Sequence, residues 1–81
     1  MSLDIKLLRQ MLSLAKHRNF ARAAESLHIS QPALSRSISN LEETLGVQLF
    51  DRTHGGVEPT AYGRLILERG REIVAKENEL Q

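Results

Sequence analysis

Gln31, Ser35 and Ser39 stand four residues apart, with Arg36 and Asn40 beside them. At that spacing they share one side of a helix, each a turn from the next. Amide, hydroxyl and guanidinium groups exchange hydrogen bonds with phosphate oxygens and with the edges of bases. Small side chains on this side would let the helix backbone approach another surface closely. Arg36 has the forked geometry that binds guanine O6 and N7 together. The plainer alternatives are a merely solvated face for Gln31, Ser35 and Ser39, and a phosphate contact or salt bridge for Arg36.

Other chemistry lacks its parts. Glu42 and Glu43 are a pair of carboxylates, but adjacent helix residues point in different directions and form no dyad. Glu42 suits a structural ion pair or a capping role instead. His17, His28 and His54 fall in three different segments without ligand spacing, so no metal site is expected. Ser26 and His28 have neither an orienting acid nor an oxyanion site, so no nucleophile and base are assembled. There is no Gly-rich phosphate loop. The chain therefore reads as a non-enzyme that needs no cofactor.

The polar face belongs to a helix over residues 29–46. Leu34, Ile38, Leu41 and Leu45 form its apolar stripe. Ser30 is placed to cap the start, Pro32 is tolerated in the first turn, and Gly46 ends the helix in the left-handed conformation. Upstream, residues 4–17 read as a helix with a wide apolar face made of Ile5, Leu8, Leu12 and Ala15 beside Leu7, Met11 and Leu14. Lys6, Arg9, Gln10 and Lys16 occupy what remains, and residues 1–3 read as a fraying start. Arg18 and Asn19 interrupt, with Asn19 capping a short helix over Phe20–Leu27 whose Phe20, Ala23, Ala24 and Leu27 face inward. The two alanines allow a close helix crossing. His28 then turns a tight corner, as one of the residues that tolerate the left-handed region better than most.

After Gly46 the pattern changes. Residues 47–52 partly alternate and suit a strand, residues 53–56 are a turn, and Val57 and Glu58 return as a second strand ended by Pro59. Thr60 caps a long helix over residues 61–81. Its apolar stripe is Leu65, Ile66, Ile73, Val74 and Leu80, diluted by Gly63, Gly70 and Glu77.

With 81 residues the chain is one domain, or one domain with an extension. It is 41% apolar and 26% charged, an ordinary globular composition. The absence of Cys excludes a disulfide framework and fits a reducing compartment. No apolar run approaches membrane-spanning length and no signal-peptide pattern is present, so no membrane partner is expected and a cytoplasmic location, on the nucleoid if the partner is DNA, is. The net charge is only +1. Up to Arg52 there are seven Lys and Arg against five Asp and Glu, and from Thr53 onward four against five, so the weak basic excess lies with the polar-faced helix.

The order is helix, short helix, tight turn, helix, hairpin, long helix. The fold class is mostly α: a winged helix-turn-helix of three helices and a short two-stranded wing, followed by a long linker or dimerisation helix. The stripe of that last helix could pack on the domain's own core, though its length past the wing favours a partner helix. Residues 1–60 form the winged unit, with the helix-turn-helix at 20–45 and the wing at 47–59.

Over nearly its whole length the chain resembles the DNA-binding domain of the LysR-type transcriptional regulators. The resemblance rests on Ala23-Ala24, Leu27, Ser30-Gln31-Pro32-Ala33-Leu34-Ser35, Ile38, Leu41-Glu42, Leu45-Gly46, Leu49-Phe50, Arg52, and Thr60 with Gly63. It implies a bacterial regulator that binds duplex DNA at an inverted-repeat operator, as a homodimer or a tetramer. The last helix would pair antiparallel with its partner through Leu65, Ile66, Ile73 and Leu80. A small-molecule effector would act only through a larger C-terminal domain that these 81 residues are too few to contain. By the same resemblance Gln31, Pro32, Ser35 and Arg36 occupy base-contacting positions. Ser30, Ser37, Ser39 and Asn40 are structural or phosphate-facing. Arg22, Arg52, Thr53 and His54 stand at backbone and wing positions. Two departures stand out: Gly55 replaces an Arg common near the wing tip, and Pro59 replaces a Leu before Thr60. A different reading, a winged helix used as a protein-interaction module, draws on the low net charge; it would not need the Gln31/Ser35/Arg36 face.

Overall fold

The computed structural model describes residues 4–53 and 55–80. In chain order these form α1 (Ile5–His17), α2 (Phe20–Leu27), α3 (Gln31–Leu45), β1 (Phe50–Thr53), β2 (Gly56–Pro59) and α4 (Ala61–Glu79). This is the expected winged helix-turn-helix followed by a long helix. The expectations for residues 1–3, His54 and Gln81 lie outside the described residues.

Side chains close the helix starts. The Asp4 carboxylate accepts from the Lys6 N–H at 2.7 Å, so Asp4 caps α1 and does not belong to it. Asn19 accepts from the Arg22 N–H at 2.9 Å, and Ser30 from the Ala33 N–H at 3.2 Å. The Thr60 hydroxyl accepts from the Gly63 N–H and donates to the Gln48 carbonyl, tying the start of α4 to the chain before the wing. At the other ends, His28 and Gly46 take the expected left-handed conformation, at φ 58° and 72°. Arg18 does so too, at φ 55°, where the sequence shows only an interruption. Its N–H donates to the Leu14 carbonyl and its own carbonyl accepts from the Val57 N–H. The strained corner thereby joins α1 to the wing.

The core gathers Met11, Leu14, Ala23, Ala24, Leu34, Ile38, Leu41, Leu49, Phe50, Val57 and Leu67. α1 lies at its centre, touching α2, α3, α4 and β2. So many neighbours leave little of α1 for solvent, and one expectation fails there. Gln10, expected on the outer remnant, is buried at 5% exposure, and its Oε1 has no hydrogen-bond partner. Arg9 reaches across to α4, where it pairs with the Glu77 carboxylate and the Asn78 side-chain oxygen.

The wing is an antiparallel pair with Phe50 opposite Pro59, Asp51 opposite Glu58, Arg52 opposite Val57 and Thr53 opposite Gly56. The expected first strand from Val47 begins only at Phe50. The reason is that other groups take the backbone there. The Glu42 carboxylate accepts from the Leu49 and Phe50 N–H groups at 2.7 and 3.2 Å, and the Leu49 carbonyl accepts from the Thr60 N–H. Leu49 turns fully into the core instead of alternating. The second strand is longer than Val57 and Glu58, taking in Gly56 and Pro59. Pro59 costs little at a strand end.

α4 departs most from its expected stripe. Its buried residues are Gly63, Leu67 and Gly70, and Leu67 is absent from the stripe read in the sequence. Ile66 packs partly against the core and Val74 is half-buried, whereas Leu65 and Ile73 face solvent. A Cβ on Gly63 would stand 2.1 Å from the Leu49 carbonyl oxygen, and one on Gly70 would stand 3.1 Å from Leu8 Cδ2. These glycines are contact points, not dilution.

Candidate nucleic-acid interface

Burial of Leu34, Ile38 and Leu41 turns the opposite side of α3 outward. Gln31, Pro32, Arg36, Ser39 and Asn40 are exposed there, and Ser35 and Ser37 are half-buried. The helix start, where Gln31 and Pro32 sit, is held by the Ser30 cap. Ser30 is exposed, but its oxygen already serves the Ala33 N–H.

The wing stands beside this face. Arg52 on β1 donates from Nη2 to the Ser35 hydroxyl oxygen at 3.4 Å. Its guanidinium carbon lies 4.5 Å from the centre of the Phe20 ring on α2, within the range of cation–π attraction. One side chain thus meets α2, α3 and the wing together. Two of the sequence-derived site residues, Ser35 and Arg52, are in direct contact. Arg22, in the first turn of α2, is exposed. Thr53 is exposed at the end of β1, and its hydroxyl donates to the Gly56 carbonyl at 3.3 Å. Gly55 lies in the turn, with open space where a Cβ would be.

Three participants escaped the sequence reading of the site. Phe20 was read only as a core residue; its contact with Arg52 spans 32 positions and has no local signal. Arg18 pairs with Glu58 at 3.4 Å, and its carbonyl anchors β2. Gly56, at φ 125°, has the Arg18 carbonyl 2.5 Å from where its Cβ would be. Together they set the wing's position against α1. Glu42 takes the capping role, not the ion pair, of the two expected for it.

The second exposed feature is on α4. Tyr62, Leu65, Ile73 and Leu80 are 58%, 63%, 48% and 89% exposed. Of the four residues expected on the dimer helix, Leu65, Ile73 and Leu80 are open, while Ile66 is engaged with the chain's own core. Among the described residues no group of three or more His, Cys, Asp or Glu could hold a metal ion, and no helix is long and apolar enough to cross a membrane.

Residues 5–64, from the start of α1 into the first turn of α4, match the family model described as bacterial regulatory helix-turn-helix protein, lysR family. The chain is 49% identical over 78 residues to the SDS degradation transcriptional activation protein of Pseudomonas sp. (strain ATCC 19151), covering 96% of this chain and 26% of that protein. It is 43% identical over 72 residues to the DNA-binding transcriptional dual regulator OxyR of Escherichia coli (strain K12), covering 89% and 24%. It therefore spans about a quarter of the length of these relatives. Among solved structures it is similar to the CbnR_DBD–DNA complex, with a TM-score of 0.85 and 38% identity over 95% of this chain and 88% of that one. It is also similar to Vibrio fischeri DarR in complex with DNA, with a TM-score of 0.86 and 39% identity over 98% and 27%.

Proposed function

The chain belongs to the lysR family of bacterial regulatory helix-turn-helix proteins, and from that premise we propose that it reads duplex DNA as the sequence-specific domain of a LysR-type transcriptional regulator. The observation that carries this reading is the outward polar face of α3, set beside the wing. A recognition helix of this kind enters the major groove by its N-terminal part, while the preceding helix crosses the phosphate backbone. Gln31, Pro32, Ser35 and Arg36 then meet base edges. Arg22, Ser39, Asn40, Arg52 and Thr53 meet the backbone, with Ser30 holding the helix start.

Residues 61–81 serve as the linker and dimerisation helix. Solvent-facing Leu65 and Ile73 on α4, with Leu80 at its C-cap, support it, because covering exposed apolar surface is favourable at roughly 25 cal/mol per Å². Two copies related by a two-fold axis place their α3 helices in major grooves about one turn apart or further, which calls for an inverted-repeat operator. The working molecule is a homodimer, or a tetramer in the full-length regulator, acting in the cytoplasm on the nucleoid. Its effector is read by residues beyond this chain.

With a net charge of only +1, affinity depends on where the cations stand, and it falls with salt as phosphate contacts displace counterions. Selection from random duplexes, followed by titration of the selected site and a scrambled control at several salt concentrations, tests this function. A two-fold symmetric site, preferred over the control and weakening with salt, is the expected result. No enrichment and no salt-dependent binding to any duplex would overturn it in favour of a protein-interaction module.

A further inference from the structure

The α3 face carries hydroxyls that can act in two senses. A serine hydroxyl has one donor hydrogen and two acceptor lone pairs, so alone it tells base edges apart poorly. Helical Ser and Thr hydroxyls often turn back to the carbonyl four residues earlier. Thr44 does so on this helix, donating to the Asn40 carbonyl at 2.9 Å. Ser35 is placed differently: its oxygen accepts from Arg52 Nη2 at 3.4 Å. A guanidinium has five N–H donors and no acceptor, so the Ser35 proton cannot return to Arg52 and must be directed elsewhere.

The Arg52 guanidinium is itself held over a ring. Its carbon stands 4.5 Å from the Phe20 ring centre, and a planar guanidinium stacks on an aromatic face in a way an ammonium does not. Phe20 is half-buried and packed against the core, so the platform belongs to the rigid part of the fold. The remaining N–H groups of Arg52 stay free to meet a phosphate, so the backbone role proposed above is compatible with this one.

We propose that Arg52, stacked on Phe20, is a positioning residue that sets the Ser35 hydroxyl as a hydrogen-bond donor and so sets its base preference. A donor pointed into the major groove favours the acceptor edges, purine N7, guanine O6 and thymine O4. It disfavours cytosine, whose edge there offers only the N4 donor. The inference rests on the DNA-reading function above and narrows it to one base pair in each half-site.

The test compares the parent with Arg52→Lys, Ser35→Ala and the double variant. Each is titrated on the site the parent selects and on every single-base change of that site. Phe20→Leu, which keeps apolar bulk and removes the ring, provides a second route to the same readout. Ser35→Ala is expected to flatten preference at one base pair per half-site. Arg52→Lys keeps the charge, and is expected to cut discrimination at that same pair about three- to tenfold, the worth of one hydrogen bond, over and above whatever it loses on bulk duplex. The double variant should lose no more there than Ser35→Ala alone, because the two residues act as one unit. A merely structural or phosphate-binding Arg52 would lower affinity for all sequences alike.

An unchanged preference profile in Arg52→Lys would overturn the proposal. So would flattening at a different pair from Ser35→Ala, or no flattening in Ser35→Ala. A parent with a clear preferred site whose profile survives Arg52→Lys sinks only the positioning role. A parent that binds no duplex sinks the DNA-reading function with it.

Discussion

In α3 the buried side chains are Leu34, Ile38 and Leu41, and the residues facing out are polar. In α4 the buried residues are Gly63, Leu67 and Gly70, while Tyr62, Leu65 and Ile73 face out, as does Leu80 at the C-cap. Both helices have an apolar pattern, yet they use it in opposite ways. α3 sinks its large side chains and leaves hydrogen-bonding groups for a hydrated, polar surface. α4 approaches the core through two glycines flanking one buried leucine and leaves other large apolar groups in solvent. On the function proposed above, the difference separates two tasks, reading and pairing, that one amphipathic rule would have merged.

The sharpest way to break the comparison is inside α3. Leu34 is fully buried, and Leu34→Ala should cost about 2–5 kcal/mol of unfolding free energy, read by urea melts, because the cavity adds to the lost transfer energy. On α4 the equivalent lesion is an addition. Gly63→Ala should destabilise by about 1–3 kcal/mol in the same melts, because the Leu49 carbonyl lies in the way. An Ala that proved neutral there would show that α4 sits more loosely than the geometry requires.

On the outer side of α3, Arg36→Ala should leave stability near the parent value and cost about 1–3 kcal/mol of binding, concentrated at one base pair. An equal loss on every sequence would return Arg36 to a phosphate contact. On the outer side of α4, Ile73→Glu should change folding stability least, within about 0.5 kcal/mol for a surface site. Sedimentation should nevertheless show its dimer lost. An unchanged monomer mass in parent and variant alike would remove the pairing role from α4.

The two helices were also unequally legible. α2, α3 and the caps that open α2, α3 and α4 could be read because their determinants are local. Asn19, Ser30 and Thr60 each meet an N–H three residues on, and His28 and Gly46 stand where the chain must reverse. The polar face of α3 followed from period alone. Around α4 the determinants are remote. The two glycines stand against Leu49 and Leu8 from other segments, and Arg9 finds Glu77 across 68 positions. The late start of β1 has a nearer origin, in Glu42 and Thr60, which take the backbone groups of Leu49 and Phe50.

By itself the sequence determined the order of elements, the helix limits to within two residues, and the exposed hydrogen-bonding face of α3. Those follow from backbone groups that must be capped within a turn and from side chains that repeat with the helix. Only the tertiary structure decided which side of α4 is covered, that Arg18 and Gly56 seat the wing on α1, and that Arg52 joins Phe20 to Ser35. Close packing lets a backbone carbonyl or an aromatic ring from a distant segment select what stands against it, and no periodicity along the chain records that choice.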